Sequence, residues 1–143
     1  MLEYIVKTVA DLPSAAEKLL EVAGKRKKVI LLGDLGAGKT SLVQHFCQLL
    51  AVKEQVVSPT FSLINEYSYW DKKELKEKYI YHLDLYRLNS TQEAIDIGIE
   101  DYLYDDNYCL IEWPQIIRPI LPEDVLEINI ELMEDSSRKI IFL

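Results

Sequence analysis

No apolar run in this chain approaches the roughly 20 residues needed to span a bilayer, and Met1-Leu2-Glu3-Tyr4 lacks the basic stretch and apolar core of a secretory leader. The expected compartment is the cytoplasm. Cysteine is scarce: Cys47 and Cys109 each fall in an apolar stretch, which predicts two buried free thiols and no disulfide framework. Basic charge is short as well, with 16 Lys and Arg against 24 Asp and Glu, a net charge of −8. A surface this acidic is a poor holder of DNA or tRNA through phosphate contacts. The one dense basic run, Lys25-Arg26-Lys27-Lys28, follows Gly24 at an expected helix end, where the dipole favours cations, and reads as a solvated connection. Repeats, low-complexity tracts and an interdomain linker are all missing. Glycine is rare too, with five in the chain, yet three of them stand at 33, 36 and 38.

What is present centres on those glycines. Gly33-Asp34-Leu35-Gly36-Ala37-Gly38-Lys39-Thr40 fits G-x-x-x-x-G-K-[ST], the spacing of a phosphate-binding P-loop. Glycine opens backbone conformations closed to other residues, so successive N–H groups can converge on phosphate oxygens. Lys39 supplies a mobile cation for the β and γ phosphates, Thr40 a hydroxyl for Mg²⁺, and the following helix its positive end. The context fits: Val29-Ile30-Leu31-Leu32 precedes the motif as a short buried strand, and Leu42, Val43, Phe46, Leu49 and Leu50 follow at helical spacing. A glycine-rich turn that binds nothing would not require this setting. A nucleoside triphosphate is the expected ligand.

At 143 residues, 49% hydrophobic and 28% charged, the chain is expected to form one domain over 1–143. Tyr4-Ile5-Val6-Lys7 opens as a strand. Leu12, Ala15, Ala16, Leu19, Leu20 and Ala23 mark one helix face, with Pro13 in the first turn and Gly24 past the end. Phe61 to Tyr69 and Tyr79 to Asp84 predict an antiparallel hairpin with a longish exposed loop over the polar stretch from Asp71 to Lys78. Thr91 to Ile97 predicts a helix capped by Asn89 or Ser90. Tyr108 to Ile111 reads as a buried strand ending at Glu112. Leu126, Ile128, Ile130 and Leu132 alternate with polar residues, and Ile140 to Leu143 closes the chain after the turn at Glu134 to Ser137. The sum is an α/β, P-loop NTPase-like three-layer domain whose central sheet mixes parallel and antiparallel strands.

Phosphate binding is not hydrolysis. The metal needs an acid, typically at the end of a neighbouring strand, and an attacking water must be oriented. Asp84 and Glu112 each end an apolar strand, and either can serve Mg²⁺ or position the nucleophile; sequence alone does not divide the roles. Ser58-Pro59-Thr60 lies between the P-loop helix and the next strand, where the Thr60 hydroxyl can sense a γ-phosphate or metal or simply belong to a turn. His82 reads as a hydrogen-bonded structural side chain. Trp113, followed by Pro114, is equally a core anchor, a nucleotide lid or an interface aromatic. For Arg87 and Arg138, as isolated arginines, carboxylate pairing is the leading reading.

Taken together, Gly-Asp-Leu-Gly-Ala-Gly-Lys-Thr at 33–40, Ser-Pro-Thr-Phe at 58–61, His-Leu-Asp-Leu-Tyr-Arg at 82–87 and Ile-Glu-Trp at 111–113 resemble the TsaE (formerly YjeE) family over nearly the whole chain. The resemblance implies a P-loop fold and a Mg²⁺-dependent ATPase that supports threonylcarbamoyladenosine formation in tRNA with TsaB and TsaD, TsaD being the transferase. ATP hydrolysis to ADP would reset the TsaB–TsaD complex. Carried over by position, Lys39 and the loop amides hold phosphates, Thr40 and Glu112 serve Mg²⁺, Asp84 lies at the nucleotide–metal site, and Thr60 belongs to a switch-like segment. Thr8 and Arg138 are implied nucleotide contacts. The candidate catalytic residues are Lys39, Asp84 and Glu112, and the metal ligands Thr40, Asp84 and Glu112. The nucleotide-contacting set is Thr8, Gly33, Asp34, Leu35, Gly36, Ala37, Gly38, Lys39, Thr40, Ser41, Thr60, Asp84, Trp113 and Arg138. Many family members continue beyond the position of Leu143, so contacts from such a segment are expected to be absent or replaced.

Three rivals are weaker. A small-molecule kinase would carry an arginine-rich lid, and Arg87 and Arg118 stand alone. A GTP switch would carry Asn-Lys-x-Asp, which is missing. A degenerate P-loop scaffold would not retain Lys39, Thr40, Asp84 and Glu112 together. With no evident arginine finger, hydrolysis by the chain alone is expected to be weak and to rise with its partners.

Overall fold

The apolar run Lys28–Leu32 forms strand β2 at the centre of a seven-stranded sheet, and the elements on either side follow from which of its faces each side chain reaches. The computed structural model describes residues 1–59 and 62–143. In chain order the strands are β1 (Leu2–Val6), β2, β3 (Ile64–Asp71), β4 (Lys76–Asp84), β5 (Tyr108–Glu112), β6 (Leu126–Leu132) and β7 (Arg138–Phe142). The helices are α1 (Leu12–Ala23), α2 (Lys39–Leu49), α3 (Thr91–Asp96) and α4 (Glu100–Leu103), with 3₁₀ turns at Val9–Asp11 and Gln115–Ile120. The sheet order is β1-β7-β6-β2-β5-β4-β3. Strands β6, β2, β5 and β4 are mutually parallel, while β3 pairs antiparallel with β4, and β7 antiparallel with both β6 and β1. The mixed sheet read from the sequence is what forms.

Alternation along the strands divides two apolar layers. Val29, Leu31, Leu110, Ile128 and Ile130 face α1 and α2, which bring Ala15, Ala16, Leu19, Leu42, Val43 and Phe46. Ile30, Leu83, Cys109 and Ile111 face the other way, against Ala94, Ile99, Leu103 and Ile117 of the short helices. Both faces of the central strands are therefore covered, which is why they read as continuous apolar runs. Cys47 and Cys109 are buried free thiols, and burial pushes both up to about 12.

Several local expectations shift. The hairpin loop is short: β3 extends to Asp71 and β4 begins at Lys76, with those two residues paired. Asp71 accepts the backbone N–H groups of Lys73 and Glu74 at 2.8 and 3.0 Å, and Lys78 pairs with Asp71 and Glu74, so a charged stretch is ordered by its own side chains. On α2, Leu49 is exposed and Cys47 takes the buried face. Ser90, not Asn89, caps α3, its Oγ accepting from the Glu93 N–H at 3.1 Å. Lys28 corrects the reading of the basic run as solvated. It is buried at the start of β2 and donates to the Tyr102 carbonyl (2.8 Å), the Asn107 carbonyl (2.6 Å) and Asp105 (2.6 Å). Its three donors are met by the turn that leads into β5, which makes burial of the ammonium tolerable.

Candidate functional site

The parallel strands β2, β4 and β5 share one C-terminal edge, the edge at which open α/β sheets bind ligands. The loop 33–38 leaves β2 there, and Asp84 and Glu112 end β4 and β5 side by side in register. Gly33 is required because β6 crosses close by: a Cβ at that position would stand 2.7 Å from the Ile130 carbonyl oxygen. Gly38 caps α2 with φ 108°, in the left-handed region, and accepts the first helical bond from Leu42. The first-turn N–H groups of α2 have no acceptor within the helix, and the helix dipole makes that end positive.

Arg138, at the start of β7, reaches across to this loop. Its Nε donates to the Ala37 carbonyl at 2.7 Å, with the other guanidinium nitrogens 3.5 Å from the Gly36 carbonyl and 3.1 Å from that of Ser136. The carboxylate partner expected for it is replaced by loop carbonyls. These point outward when the N–H groups point in, and the antiparallel β6–β7 pair sets Arg138 beside them.

Lys39 is only 5% exposed. Its ammonium donates to the Gly33 carbonyl and stands 3.7 Å from the centroid of the Trp113 ring. Burial lowers its pKa, opposed by the charges of Glu112, Asp84 and Asp34. Trp113 is half-buried, at φ 56°, with its ring 4.9 Å from that of Tyr86. A bulky residue in that backbone region is strained, and such strain concentrates at functional sites. The core-anchor reading of Trp113 does not hold, since its ring lines the cavity against Lys39.

Thr40 donates to the Glu112 carboxylate, 3.1 and 3.0 Å from its two oxygens. Glu112 is 3% exposed and also accepts from His82 Nε2 at 2.6 Å. Asp84 accepts the Tyr86 N–H at 3.0 Å. Among the described residues no three His, Cys, Asp or Glu side chains form a metal cluster. Mg²⁺ does not need one, since it takes one or two carboxylates and fills its remaining positions from phosphates and water. The Thr40 hydroxyl beside the Glu112 carboxylate, with Asp84 on the next strand, is a hard-oxygen donor set that fits it.

A cavity of about 450 Å³ gathers Leu35, Gly36, Gly38, Lys39, Thr40, Ser41, Asp84, Glu112, Trp113 and Arg138. A smaller, mainly apolar hollow of about 240 Å³ adjoins it through Gly38, Ser41 and Arg138 and is lined by Thr8 and Ala37, with Val6, Val9 and Leu12. Of the sequence-predicted set, Gly33 and Asp34 are not brought into either: they face a separate hollow beside Asn129 to Met133. Thr60 lies outside the described residues. Ser58 and Tyr86, which stand in the quoted motifs without a role of their own, and Arg87, read toward a carboxylate, all line the larger cavity. The adjacency of Tyr86 and Arg87 to the strand-ending Asp84 was the available signal.

The chain is similar to known proteins over most of its length. The family profile "Threonylcarbamoyl adenosine biosynthesis protein TsaE" matches residues 6–140. The chain is 40% identical over 122 residues to the tRNA threonylcarbamoyladenosine biosynthesis protein TsaE of Haemophilus influenzae, covering 85% of this chain and 73% of that protein. It is 36% identical over 129 residues to the protein of the same name from Bacillus subtilis, covering 90% and 77%. The crystal structure of Bacillus subtilis YdiB superposes with a TM-score of 0.73 at 30% identity, covering 99% of this chain and 83% of that one.

Proposed function

This chain belongs to the TsaE family, and from that membership we propose that it is a Mg²⁺-dependent ATPase supporting threonylcarbamoyladenosine formation in tRNA. In this reading it binds the TsaB–TsaD complex and resets it by hydrolysing ATP to ADP and phosphate, without itself transferring the threonylcarbamoyl group. The cytoplasm is the compartment that goes with this role. Among the described residues no helix is long and apolar enough to cross a membrane.

The observation that carries the proposal is the pairing of Thr40 with Glu112 beside the ammonium of Lys39, at the positive end of α2. The larger cavity suits a triphosphate, and the adjoining apolar hollow beside Thr8 suits a purine. Lys39 would exchange the Gly33 carbonyl for β and γ phosphate oxygens, whose charge favours the ammonium that burial disfavours. Arg138 holds the loop carbonyls outward so that the amides face the phosphates. Mg²⁺ held at this site would supply charge neutralisation to the phosphates. Thr40, Glu112 and Asp84 are the groups that would hold it. Glu112 is committed to Thr40 and His82, so Asp84 is the better placed of the two acids to orient the attacking water.

Arg138 is engaged by carbonyls, so transition-state charge is under-compensated within the chain unless Arg87 or a partner supplies it. Phosphate release should therefore be slow for the isolated protein and rise on addition of TsaB–TsaD. Equal rates with and without the partners would refute the partner-dependent reading.

A further inference from the structure

Behind the Thr40–Glu112 pair lies a second layer of buried polar groups that phosphate binding does not use. His82, on β4, is fully buried, and Tyr67, on the neighbouring β3, is 2% exposed. Their rings are tilted against each other with centroids 6.1 Å apart. His82 Nε2 lies 2.6 Å from Glu112 Oε2, and His82 Nδ1 lies 3.3 Å from the Tyr67 hydroxyl. That hydroxyl in turn is 3.0 Å from the Val57 carbonyl, which also accepts from Asn65 Nδ2 at 3.1 Å. A continuous run of hydrogen bonds thus connects the carboxylate at Thr40 with the backbone of the connection between α2 and β3.

We infer that His82 is the positioning residue of the proposed metal-side carboxylate, and that Tyr67 couples that carboxylate to the backbone at Val57. The inference rests on the nucleotide reading given above. A carboxylate only accepts, so His82 donates through Nε2 and Nδ1 is left as an acceptor. Glu112 Oε2 accepts the hydrogen bond of His82 Nε2–H while the Thr40 hydroxyl approaches both carboxylate oxygens. The carboxylate is therefore oriented by a ring that is fully buried and bonded at both nitrogens. This is the arrangement by which buried second partners set ligand orientation at metal centres.

Tyr67 owns one proton and faces two acceptors, Nδ1 and the Val57 carbonyl. When the proton goes to Nδ1, Asn65 still serves Val57, and its second amide proton is available to the Tyr67 oxygen 3.3 Å away. That arrangement strands no buried polar atom, whereas sending the proton to the Val57 carbonyl leaves His82 Nδ1 without a donor, so the Tyr67 proton belongs on Nδ1 for as long as Nε2 donates to Glu112. A change in the hold on Glu112 at the cavity is then felt as a choice of partner at Val57, a coupling between metal occupancy and the 52–59 stretch.

The test uses the full chain and four proteins: wild type, His82→Gln, His82→Ala and Tyr67→Phe. Calorimetry measures ATP affinity with and without Mg²⁺, and hydrogen exchange is followed on peptides covering 52–59. The inference predicts that His82→Ala reduces the Mg²⁺-dependent gain in affinity by about tenfold or more while Mg²⁺-free binding stays within about twofold, a loss that general unfolding would not confine to the metal. His82→Gln, which retains an N–H donor, should recover part of that gain. Tyr67→Phe should keep the gain within about threefold but abolish the Mg·ATP-dependent change in exchange over 52–59. An unchanged Mg²⁺-dependent gain in a folded His82→Ala protein overturns the positioning role, and a preserved exchange response in Tyr67→Phe overturns the coupling. If His82→Ala does not fold, His82→Gln and Tyr67→Phe decide the matter by the same measures. If wild type binds no Mg·ATP, the nucleotide reading fails first and the relay falls with it; if wild type binds and the variants match it, the relay alone fails.

Discussion

The ammonium of Lys39 stands over the face of Trp113, 3.7 Å from the ring centroid, while donating to the Gly33 carbonyl of its own loop. The lysine of the 33–40 loop is therefore held by neutral acceptors and an aromatic face, in a buried position that disfavours its charge. An incoming polyanion offers it a better partner than any of these. Lys39→Ala should reduce ATP hydrolysis by about 10²-fold or more. Phosphate-release assays on wild type and variant, with partners present, provide the check.

The two strand-end acids should separate by metal dependence. Glu112→Gln is expected to weaken Mg²⁺-dependent nucleotide binding, because a neutral amide faces Thr40 and His82 in place of the carboxylate. Asp84→Asn is expected to weaken Mg·ATP binding less than Glu112→Gln does and to lower turnover by about 10²-fold or more. Calorimetry beside single-turnover kinetics distinguishes the two outcomes.

Arg138→Ala removes a charged donor 2.7 Å from the Ala37 carbonyl. A hydrogen bond to a charged group contributes about 1.5–3 kcal/mol. Loss of that hold on the loop should cost roughly tenfold or more in nucleotide affinity, with the fold intact by circular dichroism. Arg138→Lys should recover little, since a single ammonium cannot span the carbonyls at 36, 37 and 136.

Lys28 anchors the opposite end of β2 from the cradle. Lys28→Ala strands two carbonyls and removes the cation beside Asp105, which keeps the donors of Asn107, and should destabilise the protein by about 3 kcal/mol in urea unfolding. Nucleotide affinity of the folded fraction should not change.

How much of this was legible in the sequence depends on the range of the interactions. The cradle was readable because its glycines, Lys39 and Thr40 are contiguous. Asp84 and Glu112 were readable because central parallel strands are apolar on both faces, so a terminal acid stands out. The carboxylate-pairing reading of Arg138 failed because its partners are loop carbonyls 101 and 102 positions earlier, brought to it only by the β6–β7 pairing. Lys28 was misread because a polar letter in a basic run looks solvated, and its acceptors lie 74 to 79 positions away. The His82–Tyr67 connection depends on β3–β4 pairing register and left no local trace beyond two polar-capable side chains in apolar strands.

The two thiols give a pH-linked prediction. Burial pushes Cys47 and Cys109 up to about 12, so neither should be thiolate at pH 8 in the native protein. Labelling by a thiol reagent at that pH should be negligible until urea unfolds the chain, whereupon both react. As pH rises from the ordinary thiol range toward 12, ionisation favours the unfolded chain, and stability should fall across that window.

The most direct test of the central claim uses Trp113 itself. In a Trp70→Phe protein, which leaves a single tryptophan, Mg·ATP is titrated while the emission is recorded. If a triphosphate takes Lys39 from the Trp113 face, the emission changes to saturation, and Lys39→Ala in the same background abolishes the response. An emission unchanged at millimolar Mg·ATP in folded protein would contradict the claim that the 33–40 cradle holds a nucleotide.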